Sequence, residues 1–121
     1  MVLGIGVDLV SVARVEKALL RRPAMRGRLF RMEELGQGEA EGEARSLAAR
    51  FAAKEALRKA LGGGARGGWR DVFVEGGRGA PPRLVLEGAW LVAARARGAT
   101  AWHLSLTHER DYAIAMVVIE G

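Results

Sequence analysis

The stretch RSLAARFAAKEALRKALGGG, residues 45–64, decides how this chain is read. It sets one carboxylate and several cations into an Ala-rich helix that runs out onto three glycines. At 100° per residue, Leu47, Phe51, Leu57 and Leu61 fall in one arc. Glu55 and Lys59 share the neighbouring arc with only Ala48 and Ala52, so the spacing predicts that both stand on bare helix surface. The same i, i+4 order, Glu before Lys, also serves a merely solvated helix, where it stabilises by about 0.2–0.5 kcal/mol.

Working outward, residues 1–10 alternate as a half-buried strand. Leu3, Ile5, Val7 and Leu9 are expected on the core face and Gly4, Gly6 and Asp8 on the open one. Ser11 can cap a helix from Val12 to about Arg22, which Pro23 helps to end. A short helix is expected over 25–35. The following GQGEAEGEA, residues 36–44, reads as a flexible acidic surface loop. Beyond residue 68 the period changes. Residues 69–75 and 83–87 read as strands, 89–98 as a helix, and 101–107 pairs through a tight turn with 112–120. Helices segregated around a meander of antiparallel strands make an α+β class, and 121 residues without repeat or linker make one domain spanning residues 1–121.

The composition excludes several classes. No apolar run approaches the roughly 20 residues that span a bilayer, and the start of the chain lacks a signal-peptide pattern, so a cytoplasmic location without membrane contact is expected. The chain holds no cysteine and two histidines, which removes disulfides and thiolate metal sites and leaves oxygen as the ligand for any metal. Sixteen arginines against three lysines suit a GC-rich genome as well as a function. The net charge of +5 is concentrated: Arg14, Lys17, Arg21, Arg22, Arg26, Arg28 and Arg31 face a single Glu16. An acidic partner is the simplest reading of that segment, and a solvated basic face is the alternative.

Asp8 and Glu55 both leave small-residue surfaces, so together they can hold one hard cation. Asp8 by itself also reads as a cap for the next helix. Magnesium takes one or two carboxylates, several waters and substrate phosphate oxygens, and this chain offers that combination rather than a closed cage. Arg50, Lys54, Arg58 and Lys59 can counter phosphate charge. Glycines 62–64 let backbone amides approach a ligand, although Gly62 equally serves as a helix C-cap. Lys54 lies inside the Leu/Phe arc, where a lysine either snorkels or reaches a phosphate. His108 sits at a hairpin turn, solvated or aimed at the sheet edge.

GIGVDLVSVARVEKAL at 4–19, RSLAARFAAKEALRKALG at 45–62, WRDVFV at 69–74 and LSLTHERDYAIAMVVIE at 104–120 resemble the holo-acyl-carrier-protein synthases, the small bacterial 4'-phosphopantetheinyl transferases. The resemblance implies their fold, a mostly antiparallel sheet on a long helix, assembled as a homotrimer with sites between subunits. It implies transfer of 4'-phosphopantetheine from coenzyme A to a serine of apo-acyl carrier protein, releasing adenosine 3',5'-bisphosphate, in fatty acid biosynthesis. It places Mg2+ on Asp8 and Glu55, with Lys59 beside them as a catalytic group. Coenzyme A contacts are implied for Arg50, Lys54, Lys59, Gly62, Gly63, Thr107 and His108. Docking of the acidic carrier helix is implied for Arg14, Arg21, Arg22 and Arg28. The segment 31–44 departs from the family: Arg31 follows Phe30 where a Thr is usual, and the stretch is short and acidic.

Two other classes fit less of the chain. An RNA-binding module needs stacking aromatics beside the basic segment, which offers only Phe30, so no nucleic-acid partner is expected. A structural adaptor for an acidic helix has no need of Asp8 and Glu55, and dependence on magnesium separates it from an enzyme.

Overall fold

Small residues govern the packing. Strand β1 (Val2–Ser11) lies against helix α3 (Ala40–Ala60) so closely that a Cβ on Gly4 would run into the Ala60 carbonyl, and one on Gly6 into the Ala56 carbonyl. Only glycine permits that approach. Between them come α1 (Val12–Arg21) and α2 (Met25–Leu29). A 3-10 turn (Trp69–Asp71) then leads into β2 (Val72–Gly77), β3 (Ala80–Leu86), α4 (Gly88–Ala96), β4 (Ala101–His108) and β5 (Tyr112–Glu120). This is a computed structural model, and it describes residues 1–36, 40–63, 66–77 and 79–121, with residues 40–42 described in backbone alone.

The strands form two antiparallel sheets, one ordered β1-β5-β4 and the other the β2-β3 hairpin. Helix α3 lies between them. Its Ala52, Ala53, Ala56, Leu57, Ala60 and Leu61 share one core with Val72, Val74, Leu84 and Leu86 of the hairpin, Trp90 and Ala94 of α4, and Ala115, Val117 and Ile119 of β5. Two indole N–H groups tie the irregular segments in: Trp90 donates to the Gly68 carbonyl at 2.9 Å and Trp102 to the Leu84 carbonyl at 2.8 Å. The α+β class and the long central helix are as the sequence predicts.

Local signals account for most boundaries. Ser11 accepts from the Arg14 amide at 3.3 Å and caps α1. Helix α3 ends where Gly62 and Gly63 adopt φ of 74° and 81°, and their amides return to the Lys59 and Arg58 carbonyls at 3.0 and 2.8 Å. Gly64, grouped with them in the sequence reading, lies outside the described residues.

Four expectations are corrected. The open face assigned to Gly4, Gly6 and Asp8 is in fact the face pressed on α3, and the apolar one is outside: Ile5, Val7 and Leu9 are 62%, 54% and 60% exposed. Alternation alone does not tell which face is buried. Here the helix surface is flat enough for glycine, and its alanines are the bare arc on which Glu55 and Lys59 were expected to stand free. That arc is covered, with Ala48 and Ala52 fully buried. The second helix stops at Leu29, with turns over 32–36, and the chain is already helical from Ala40, inside the expected loop; residues 37–39 lie outside the described residues. Finally, the first β residues after the glycine turn begin as the 3-10 turn at Trp69 rather than as a strand.

If the β1–α3 approach organises the fold, Gly6→Ala lowers stability by about 3 kcal/mol in urea unfolding, since a backbone carbonyl has nowhere to move. Gly27→Ala is the control. Nothing lies within 4 Å of a Cβ there, so that helical position gains about 0.5–1 kcal/mol.

Candidate active site

Because β1 presents its glycine face to α3, Asp8 leaves the strand toward the helix. Lys59 reaches across, donating to Asp8 Oδ1 and to the Val7 carbonyl, each at 2.9 Å. The second carboxylate oxygen, Asp8 Oδ2, is buried and has no hydrogen-bond partner among the described residues. Burial of an anionic oxygen with empty lone pairs is costly, and a ligand that fills them removes that cost. One turn before Lys59 on the same helix stands Glu55, paired with Arg58 at 3.1 Å. Asp8 with Lys59 and Glu55 with Arg58 thus make two ion pairs one helical turn apart near the β1–α3 seam.

Among the described residues no group of three or more His, Cys, Asp or Glu side chains is placed to hold a metal. Two carboxylates, one with an orphaned buried oxygen, still fit a hard cation that takes its other ligands from water and a phosphate. Beyond the cluster, Gly62 and Gly63 are exposed at the end of α3.

Thr107 and His108 are less close. In register, Asp8 pairs with Ala115 and Ala115 with Leu106, while Thr107 falls in the next row with Ile114 and Leu9. Thr107 therefore stands about 10 Å away across two strands and emerges on the outer sheet face, since neighbouring strand residues point to opposite sides. His108 is exposed at the end of β4, in the row of Val10. A single chain does not bring either to Asp8.

Lys54 departs from its expected contact with a coenzyme. It is fully buried, donating to Glu34 Oε1 at 2.7 Å and to the Leu29 and Trp69 carbonyls at 2.5 and 3.1 Å, so its three protons are spent inside the protein. Burial pushes its ammonium below the ordinary lysine range, opposed by the nearby Glu34 charge and its hydrogen bond. Arg50 is also buried. It donates to Ser46 Oγ at 2.6 Å and to the Gly76 carbonyl at 3.4 Å, which ties α3 to the β2–β3 turn.

Glu34 is the residue that sequence reasoning missed. It is as buried as Lys54. It also accepts from the Arg31 and Val74 amides at 3.0 and 3.2 Å, joining the α2–α3 connection to β2. The one available signal was Lys54 itself: a lysine in an apolar arc needs either a route to water or a buried counter-charge. Arg31 was read as part of the basic patch. It instead pairs with Glu87, lies 4.0 Å over the Phe73 ring and donates to the Arg70 carbonyl. Arg26 pairs with Glu43. Arg14 and Arg21 on α1, Arg22 just past its end and Arg28 on α2 remain exposed and make no ion pair among the described residues.

Comparison with known proteins agrees over the whole chain. A family model described as the 4'-phosphopantetheinyl transferase superfamily matches residues 4–117. A relative from Beutenbergia cavernae, a holo-acyl-carrier-protein synthase, is 45% identical over 120 residues, with 99% of each chain covered. The crystal structure of a holo-acyl-carrier-protein synthase from Neisseria meningitidis superposes with a TM-score of 0.88 at 32% identity, covering 100% of both chains. That of the Helicobacter pylori synthase, solved in complex with coenzyme A, has a TM-score of 0.79 at 28% identity and covers 96% of this chain and 99% of that one.

Replacing Lys54 by Met leaves Glu34 charged, buried and unpaired, and is expected to cost about 3–5 kcal/mol in denaturant unfolding. Adding Glu34→Gln recovers most of that loss, because the two residues act as one unit. The pH dependence has a definite sign. Folded Lys54 holds its proton less tightly than the unfolded chain, so its contribution to stability rises with pH in the window just below 10.5, and Lys54→Met removes that rise.

Proposed function

Since the chain belongs to the 4'-phosphopantetheinyl transferase superfamily and transfers phosphopantetheine from coenzyme A to acyl carrier protein, we propose that the Asp8, Glu55 and Lys59 cluster is where the transfer occurs. The observation that carries this reading is the buried, partnerless Asp8 Oδ2 beside a helix whose next polar side chains are Glu55 and Lys59. Asp8 and Glu55 would hold Mg2+, which when bound withdraws charge from a diphosphate and favours its displacement. Lys59 fixes Asp8 through Oδ1 and leaves Oδ2 for the ion. Half of its side chain is exposed, so the same ammonium can meet a phosphate oxygen of coenzyme A and oppose the charge that builds as the serine hydroxyl attacks the β-phosphorus. The products are the holo carrier protein and adenosine 3',5'-bisphosphate. The exposed Gly62 and Gly63 offer a turn without Cβ atoms along which the coenzyme can lie.

The chain acts as a homotrimer in this reading. Support comes from the outer sheet face, where Ile5, Val7 and Leu9 of β1 join Tyr112, Ile114 and Met116 of β5 in one contiguous exposed apolar surface. Thr107 opens onto that same face, away from its own Asp8, so a neighbouring subunit seated there can receive Thr107 at its site, with His108 exposed at the adjoining strand end. The carrier protein docks by its acidic helix on Arg14, Arg21, Arg22 and Arg28, whose guanidinium groups have no ion-pair partner among the described residues.

Mass spectrometry of an apo carrier protein incubated with this chain, coenzyme A and magnesium tests the transfer itself, the expected product being heavier by one phosphopantetheine arm. Asp8→Ala and Glu55→Ala each reduce that transfer at least about 100-fold while circular dichroism stays that of a folded protein. Full activity of either variant at low magnesium refutes the metal assignment. Arg14→Glu raises the apparent KM for carrier protein and leaves coenzyme A affinity unchanged. Added salt mimics it, because such exposed charges are screened beyond about 8–10 Å. Loss of coenzyme affinity with carrier affinity intact means that the two surfaces are exchanged.

A further inference from the structure

The cluster on the β1–α3 seam is already electrically filled. Lys59 neutralises Asp8 and Arg58 neutralises Glu55, so a divalent ion arriving at these carboxylates meets two resident cations. They are not alike. Lys59 is anchored a second time on the Val7 carbonyl, so that leaving Asp8 frees only part of its bonding. Among the described residues Arg58 has one tie, the 3.1 Å contact with Glu55 Oε2 across a single helical turn, and 49% of its side chain is open to solvent while Glu55 is 18% exposed. It is the less firmly anchored of the two cations. A guanidinium released there remains on the helix face that ends in Gly62 and Gly63, with its donors free for a phosphate.

We propose that Arg58 is a displaceable internal counter-cation of Glu55, a positioning residue that holds the empty carboxylate and then passes to a phosphate of coenzyme A as the metal takes its place. This rests on the assignment of Asp8 and Glu55 as the metal pair. Its consequence is thermodynamic. Metal binding has to displace or repel Arg58, and coenzyme phosphate stabilises the displaced arginine, so each ligand promotes the binding of the other by the same factor. Asp8 and Glu55 alone predict no such contribution from Arg58.

The test is Mn2+ binding to the intact protein, followed by electron paramagnetic resonance of the free ion, with and without coenzyme A, in wild type and in Arg58→Ala, Arg58→Lys and Asp8→Ala. Alanine is a good helix former at this exposed position, so folding is not at stake. Removal of a half-exposed ion pair should tighten Mn2+ binding to the coenzyme-free protein by about two- to fivefold, the range such pairs support. The enhancement of Mn2+ binding by coenzyme A should shrink by a similar factor, and Arg58→Lys, which keeps the charge, should fall between. Unchanged or weaker Mn2+ binding in Arg58→Ala overturns the proposal, as does tighter binding with an unaltered coenzyme effect. Asp8→Ala separates this from failure of the site: if that variant binds Mn2+ like wild type, the metal assignment falls and the role of Arg58 with it.

Discussion

The approach of β1 to α3 is the constraint on which the rest of the structure depends. Gly4 meets the Ala60 carbonyl and Gly6 the Ala56 carbonyl, a contact that no Cβ allows. Once strand and helix lie this close, Asp8 comes within reach of Lys59, and Glu55 stands one turn away on the same helix. The charged cluster is a by-product of backbone proximity. What the glycines meet is the helix backbone at positions 56 and 60, whose alanine side chains are buried in the core.

A helix covered on nearly every side has to accommodate its polar residues internally, and α3 does so in two ways. On the seam, Glu55 and Lys59 keep partial contact with water and stay available to ligands. On the opposite flank, Lys54 is closed off by Glu34 and two carbonyls, and Arg50 by Ser46 and Gly76. Buried pairs of this kind contribute little net stability compared with an apolar core, yet they penalise every arrangement in which the partners are apart. Glu34 also binds the Arg31 and Val74 amides, so its position fixes the path of the short 31–36 connection over the hairpin.

Turning its glycine face inward obliges β1 to turn its apolar face outward. Together with β5 this creates an exposed apolar surface, and Thr107 opens onto it. In the assembly proposed above, the geometry that turns Asp8 toward its own helix would point Thr107 at a neighbour. Association and catalysis would then share one cause, the inverted strand.

Much of this was legible in the sequence, and particular residues show where it stopped. The α+β class, the capped α1, the long α3 with its glycine end and the β4–β5 hairpin all follow from local signals: a serine before an apolar period, glycines at positive φ, alternation across a turn. The pairing of Asp8 with Glu55 as candidates followed from their small neighbours. Which face of β1 is buried did not follow, because a period of two is symmetric and hydrophobicity favours the wrong side when the partner is a wall of alanines. The fate of Lys54 and Glu34 did not follow either, since twenty residues separate them and only folding sets an ammonium against that carboxylate. Local periodicity determines which elements form. Which surfaces meet, and therefore which charges are spent inside and which are left for a ligand, was decided by tertiary contact alone.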